Sequence, residues 1–161
     1  YFGGMIIMAS PVISWWKQDN LSQWTLWDIG TVDADNTSQD AIFLIWNNRG
    51  GATDVSDAEG CTITTKDITG GNNGEIITDK WIQVKCDTMN EANFTPIGGD
   101  TTKAIKAGGT APAGAIKGTA NDGTIANSAS NFAQVTAHAH PSVTATAGVV
   151  DFLLRVSYTY Q

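Results

Sequence analysis

The stretch AIFLIWNN, residues 41–48, is the densest apolar run in the 161-residue chain. A polar segment, residues 33–40, precedes it, and Gly50 and Gly51 follow it. A short run that is rich in β-branched and aromatic residues and closed by glycines is typical of a buried β-strand, because a helix needs a longer run. We expect this strand to lie at the centre of the fold.

Alternation of apolar and polar residues marks the other predicted strands. The longest covers residues 147–160, where Phe152, Leu154 and Val156 share a face that we expect to lie in the core. The remaining predicted strands cover residues 24–29, 61–66, 80–87, 101–106, 115–116 and 131–140. No helical stripe of comparable length occurs. The pattern predicts an all-β fold, an antiparallel β-sandwich or jelly roll with long loops and an N-terminal arm.

We expect a single β-sandwich domain over residues 13–161 and an arm over residues 1–12. The arm contains a short apolar patch next to a glycine pair, made of Met5, Ile6, Ile7 and Met8. Such a patch fits either strand addition to a neighbouring molecule or a disordered chain end. The chain begins with Tyr1, so Met5 and Met8 are candidate translation starts.

A low-complexity segment, residues 107–130, lies within the predicted domain. It consists mostly of Gly, Ala, Thr, Asn and Ser, with too few apolar side chains to fold alone. Long loops inside compact domains usually have a function. We therefore interpret this segment as an excursion that contacts another subunit.

The charge pattern argues against two classes of partner. The chain has 9 basic and 16 acidic residues, a net charge of -7, and its seven lysines are scattered. A nucleic-acid binder needs a basic stripe to neutralise phosphates, so we expect no nucleic-acid partner. No apolar stretch reaches the ~18 residues of a membrane span, so we expect no membrane partner.

The two cysteines, Cys61 and Cys86, each lie in a predicted strand. They fit either one disulfide or two buried thiols, and the second interpretation is favoured because small apolar thiols are commonly buried. Neither has a CxxC partner, so no redox or zinc motif is formed.

Four of the six tryptophans, Trp15, Trp16, Trp24 and Trp27, lie close together in the sequence. They fit a core wedge, a subunit contact or a stacking platform for sugars, and we favour core and contact roles. Trp15 and Trp16 are adjacent, so in a strand their rings point to opposite faces and cannot form one platform. We therefore predict a subunit contact that comprises Met5, Ile6, Ile7, Met8, Trp15 and Trp16.

No pattern in the sequence indicates catalysis. His138 and His140 would share one face of a strand, but no third metal ligand is near them. Asp33, Asp35 and Thr37 resemble the start of a calcium loop, yet Ser38 stands at the glycine position and Leu44 at the glutamate position. No GxSxG motif occurs. We expect no catalytic residues, no metal site and no cofactor, and thus a protein that is not an enzyme.

Four stretches of the chain resemble small structural proteins of phage and prophage virions. They are IFLIWNNRGG (42–51), DKWIQVKCD (79–87), FTPIGG (94–99) and DFLLRVSYTYQ (151–161). The resemblance implies a β-rich, non-enzymatic protein of the virion that decorates the head or belongs to the tail or baseplate. We expect a capsid decoration protein first, with a tail or baseplate component or a carbohydrate-binding module as alternatives. The expected partners are major capsid or tail proteins and further copies of the chain, with a trimer favoured.

Overall fold

The computed structural model describes residues 3–4 and 7–161. In chain order, the strands of this part are β1 (Ile13–Lys17), β2 (Ala41–Asn47), β3 (Glu59–Lys66), β4 (Ile82–Cys86), β5 (Thr95–Ile97), β6 (Lys103–Ala104), β7 (Phe132–Ala139) and β8 (Leu153–Thr159). One α-helical turn, α1 (Glu75–Thr78), and two 3-10 turns (Asp87–Met89 and Ala129–Asn131) accompany them. Within the same residues no helix is long and apolar enough to cross a membrane.

The strands form two antiparallel sheets. The larger has the order β1-β2-β7-β4-β5, and the smaller has the order β6-β3-β8. All strand pairs are antiparallel. The predicted all-β antiparallel sandwich is therefore confirmed.

Strand β2 lies inside the larger sheet, between β1 and β7, and both of its faces are covered. Phe43 and Ile45 belong to the main core between the sheets, whereas Leu44 and Trp46 pack with Phe132 in a smaller cluster on the outer face. All four of these β2 residues have an exposed fraction of 0%. The continuous apolar run of β2 reflects this two-sided burial, as predicted for a buried strand.

Three predicted elements differ from the structure. Residues 24–29 were expected to form a strand, but they are irregular. Residues 95–97, within a predicted turn region, form the short strand β5.

Strand β8 has the predicted face, with Leu154 and Val156 packed on the core, yet both side chains are only half-buried. The reason is that β8 is an edge strand, so a neighbouring strand covers it on one side only.

Part of residues 107–130 packs into this chain's own core, which corrects the expectation that the segment has too little apolar mass to pack, whereas its contact with another subunit stays a prediction. Ala107 and Ile116 are fully buried, and Ile116 exchanges backbone hydrogen bonds of 2.9 and 3.0 Å with Ala58. Gly118 packs so closely on the carbonyls of Val55 and Ser56 that a Cβ atom would clash with them. Small residues are needed here because backbone packs directly against backbone.

Asparagine side chains connect this segment to the rest of the sandwich by donating hydrogen bonds to its backbone carbonyls. Asn47 Nδ2 donates to Ile116 O at 3.1 Å, and Asn48 Nδ2 donates to Gly118 O at 2.9 Å. Asn131 Nδ2 donates to the carbonyls of Lys117 and Thr119, at 2.9 Å each. These bonds satisfy backbone carbonyls that have no place in a regular sheet ladder.

The predicted N-terminal arm is attached to the sandwich over its last residues. Ser56 N donates to Ala9 O at 2.8 Å, and Asn48 N donates to Val12 O at 3.0 Å. Asn47 Oδ1 accepts from Val12 N at 2.9 Å. Ile7 and Met8 remain exposed, whereas Met5 and Ile6 lie outside the described residues.

Cys61 on β3 and Cys86 on β4 are free and buried, as favoured from the sequence. Burial raises the pKa of the Cys61 thiol to about 11, against the opposing effect of a backbone hydrogen bond at Ile116. A protonated, buried thiol is a poor nucleophile.

We expect neither thiol of the native protein to react with Ellman's reagent within minutes at pH 8. Both should react at once in a denaturant, because only the unfolded chain exposes them and allows them to ionise. Absorbance at 412 nm measures the reaction. Release of one or two equivalents from native protein would contradict the burial of these cysteines.

Candidate functional site

A row of aromatic rings connects the two sheets at one side of the sandwich. Trp15 on β1 and Trp24 both stack on Phe43, with centroid distances of 5.6 and 4.4 Å. Trp24 also contacts Trp27 at 6.0 Å, and Trp27 meets Phe152, just before β8, edge-on at 5.9 Å. The row thus runs from β2 of the larger sheet to the start of β8 in the smaller one.

An open groove of about 380 Å³ lies along this row. Three of the six tryptophans, Trp15, Trp24 and Trp27, contribute to its walls. None of its nine lining residues carries a charge. Because the chain as a whole has a net charge of -7, the groove is an uncharged apolar region on an acidic molecule.

The chain that forms one wall of the groove has free backbone groups. Trp24 N donates to Trp15 O at 2.9 Å, which fixes the start of this segment next to β1. From Thr25 to Ile29, no backbone hydrogen bond to another described residue is formed. Leu26 in the middle of this segment is 77% exposed. The segment is held by its tryptophan rings and not by a ladder of hydrogen bonds.

The other wall ends in a free strand edge. Among the described residues, β8 pairs with β3 alone. Its first residue, Leu153, lines the groove and is 41% exposed. We call the groove, residues 24–29 and the free edge of β8 together the open side of the sandwich.

Trp16 lies on the opposite face of the larger sheet, as its adjacency to Trp15 predicts. Its ring packs on the outer cluster of Leu44, Trp46 and Phe132. The guanidinium of Arg49 lies 3.6 Å from the ring centroid and donates to Asn20 O at 2.9 Å. Much of the Trp16 ring is therefore covered by this chain itself. A subunit contact at Trp16 stays a prediction, whereas Trp15 lines the open side.

His138 in β7 and His140 just after this strand both contact the acidic loop that precedes β2. His138 is 8% exposed, stacks on Phe94 at 3.9 Å and lies 3.2 Å from Asp40 Oδ1. His140 Nδ1 shares a hydrogen bond of 3.0 Å with Thr37 Oγ1. His138 is thus buried among partners of its own chain.

The weak calcium and metal patterns of the sequence do not come together in space. Asp35 turns its carboxylate towards His140, with Oδ1 3.5 Å from Nε2. In the described part of the chain, no group of three His, Cys, Asp or Glu residues is arranged to hold a metal ion.

Phe152, Leu153, Leu26 and Ile68 are groove residues that the sequence did not assign to a site. Leu26 and Ile68 are 77% and 60% exposed, although both are large and apolar. Their sequence signal was ambiguous, because the alternation around Leu26 predicted an ordinary half-buried strand. Only the position of β8 beside them brings these residues to one groove.

No protein-family model matches this chain, and no curated protein matches it. Among solved structures, the crystal structure of the P pilus rod subunit PapA is similar, with a TM-score of 0.43 and 17% sequence identity. The alignment covers 100% of this chain and 97% of that chain. A similarity this distant does not indicate a function for this chain.

Proposed function

We propose that this chain is a non-enzymatic structural protein of a phage or prophage virion, and specifically a capsid decoration protein. It binds the particle surface and stabilises it through subunit contacts. The four sequence stretches that resemble small virion proteins support this proposal. Their residues form β2, β4, β5 and β8, so the resemblance concerns the framework of the sandwich.

The observation that carries the proposal is the open side of the sandwich. A groove with no charged lining, a segment with free backbone groups and a free strand edge lie together on a chain with a net charge of -7. Exposed apolar patches rimmed by polar residues mark sites of interaction with other proteins. A free strand edge adds the possibility of main-chain pairing with a neighbour.

The proposed partners are major capsid or tail proteins and further copies of this chain, in a trimer. Ile7 is 78% exposed and Met8 is 44% exposed, so both are available for the contact predicted for the N-terminal patch. Trp15, the other described residue of the predicted contact besides these two and Trp16, lines the groove. The sandwich then lies across the boundary between neighbouring capsid or tail subunits and contacts them through these residues.

The location in the particle tests this function. We expect the protein to co-purify with virions on a density gradient and to remain with the heads after heads and tails are separated. Quantitative mass spectrometry should find it in numbers comparable to the major capsid protein. Particles that lack the gene should release their DNA at a lower temperature. Recovery with tails only would make it a tail or baseplate component, and absence from particles would contradict both.

A carbohydrate-binding module is the second candidate, because Trp24 and Trp27 lie in an open groove beside the hydroxyl of Thr25. Sugar rings stack on exposed tryptophan faces, and hydroxyl groups supply hydrogen bonds. Binding on a glycan array that is lost in Trp27→Ala, but kept in Leu21→Ala, would support this candidate. Leu21 is 82% exposed and lies outside the groove lining, so it is a suitable control.

A further inference from the structure

We propose that Asn73 is a site of spontaneous deamidation, and that the carboxylate of Asp67 suppresses this reaction in the folded chain. Asn73 and Gly74 form the only Asn-Gly pair in the sequence. They lie in the turn between β3 and α1, where the Asn73 side chain is exposed. The proposal concerns a covalent modification and is independent of the virion assembly proposed above.

Deamidation of an Asn-Gly pair needs water and no enzyme. The nitrogen of Gly74 attacks Cγ of Asn73, so that an N–Cγ bond forms and the Cγ–Nδ2 bond breaks. The proton of the Gly74 amide is lost, and Nδ2 gains one and leaves as ammonia. Water then opens the resulting succinimide ring at either carbonyl and produces aspartate or isoaspartate. Glycine favours ring closure, because it has no Cβ atom to hinder its nitrogen.

One carboxylate binds both backbone amides of this pair. Asn73 N donates to Asp67 Oδ2 at 2.8 Å, and Gly74 N donates to Asp67 Oδ1 at 2.9 Å. Hydrogen bonds to a charged acceptor are stronger than those between neutral groups. A Cβ atom on Gly74 would clash with Oδ1, so the carboxylate packs directly against this residue.

These two hydrogen bonds oppose the first step of the reaction. Gly74 N has to lose its proton to attack Cγ, and this loss breaks the bond to Asp67 Oδ1. Negative charge then develops on the nitrogen beside the carboxylate, where like charges repel each other. The second bond holds Asn73 N as well, which restricts the backbone rotation that brings Gly74 N to Cγ.

The rest of the turn keeps the Asp67 side chain in this position. Asp67 N donates to Gly71 O at 2.8 Å, and Gly70 N donates to Asp67 O at 2.7 Å. On the other side, Lys66 Nζ donates to Asn72 Oδ1 at 2.8 Å. The carboxylate is therefore part of a connected set of hydrogen bonds, and its contact with the two amides follows from the shape of the turn.

Suppression of the reaction preserves the packing of α1. Aspartate at position 73 would add a second negative charge next to Asp67, and isoaspartate would lengthen the backbone by one methylene group. Ile76 and Ile77 follow directly and are buried in the main core. A change of the turn at residue 73 would thus act on buried side chains.

The one Asp-Gly pair of the sequence, Asp122-Gly123, has a similar arrangement around its glycine amide. Gly123 N donates to Asn121 Oδ1 at 2.9 Å. The Asp122 carboxylate accepts from Thr124 N at 2.9 Å and from Thr124 Oγ1 at 2.6 Å. This pair depends on side chains other than Asp67, so it provides an internal reference for the experiment.

Peptide mapping of the full chain by mass spectrometry, after incubation at pH 8 and 37 °C, tests the proposal. We expect Asn73 to convert slowly in the folded wild type and rapidly in guanidinium chloride. Asp67→Ala should raise the rate in the folded chain about tenfold or more, because attack no longer requires the loss of a charge-assisted hydrogen bond. Asp100→Ala is the matched control, since Asp100 is exposed and is not the acceptor of either amide.

Two further variants identify the site and the role of the charge. Asn73→Gln together with Asp67→Ala should abolish the conversion, because glutamine would have to form a larger ring. Asp67→Asn keeps the size of the side chain and one acceptor oxygen, so it should give an intermediate rate, and it replaces Asp67→Ala if that variant does not fold by circular dichroism. Conversion of folded wild type as fast as in guanidinium chloride, or wild-type rates in the folded Asp67 variants, would overturn the proposal.

Discussion

Replacement of Phe43 by alanine is expected to lower the free energy of unfolding by about 3–5 kcal/mol, the range for a buried phenylalanine. Phe43 is 0% exposed, and both Trp15 and Trp24 stack on its ring. Removal of the Phe43 ring leaves a cavity and also removes the surface on which Trp15 and Trp24 stack. Equilibrium unfolding in urea, followed by circular dichroism, measures the change.

Val143→Ala is the control for this experiment, since Val143 is 70% exposed. Surface substitutions of this kind usually change stability by about 0.5 kcal/mol or less. Phe43→Ala should also shift the tryptophan emission to longer wavelength, because Trp24 loses its stacking partner. A loss of stability below about 1 kcal/mol would contradict the central position of β2.

Replacement of Asn47 by leucine is expected to lower the free energy of unfolding by about 1–3 kcal/mol for each buried backbone group that is left without a partner. The Asn47 side chain is fully buried, accepts from Val12 N, and donates to Ser56 O and Ile116 O. Ile116 O keeps its bond from Ala58 N, but the other two backbone groups lose their partner. A buried backbone group without a partner costs about 1–3 kcal/mol.

Asn36→Leu serves as the control, because Asn36 is exposed. Hydrogen exchange adds a local test, since the amide of Val12 should lose protection in Asn47→Leu and keep it in Asn36→Leu. If Asn47→Leu were as stable as the wild type, the proposed attachment of residues 9–12 and 107–130 through this amide would be wrong.

The strand framework of this protein could be predicted because its signals are local. The run at β2 has the composition of a two-sided buried strand, and the alternation in β8 shows which of its faces points inward. The two cysteines were likewise favoured as buried thiols from their place in strand patterns. Each of these features depends on the residue types within one element.

The candidate site could be predicted only in part. The concentration of tryptophans before residue 28 indicated a core or contact role, and Trp15 does line the groove. The remaining groove residues come from segments far apart in the sequence, such as Leu26, Ile68 and Leu153. No short-range pattern relates such residues, so the groove was not predicted.

Residues 107–130 illustrate a second limit of sequence patterns. Their glycines and alanines suggested a segment with too little apolar mass to pack, but Gly118 is small because the carbonyls of Val55 and Ser56 lie against it. The amides of Asn47, Asn48 and Asn131 donate further hydrogen bonds to carbonyls of this segment. The low hydropathy of this segment was interpreted as solvent exposure. A segment can be buried without large side chains when its backbone packs closely against other backbone.

By itself, the sequence determined the all-β class, the central strand and the inward face of β8, since side-chain alternation follows directly from strand geometry. Tertiary structure alone decided that β8 is an edge strand, that residues 24–29 have no strand partner and that a groove lies between them. The physical reason is that sheet order and strand edges depend on which distant segments pair, and this pairing leaves no periodic signal within either segment.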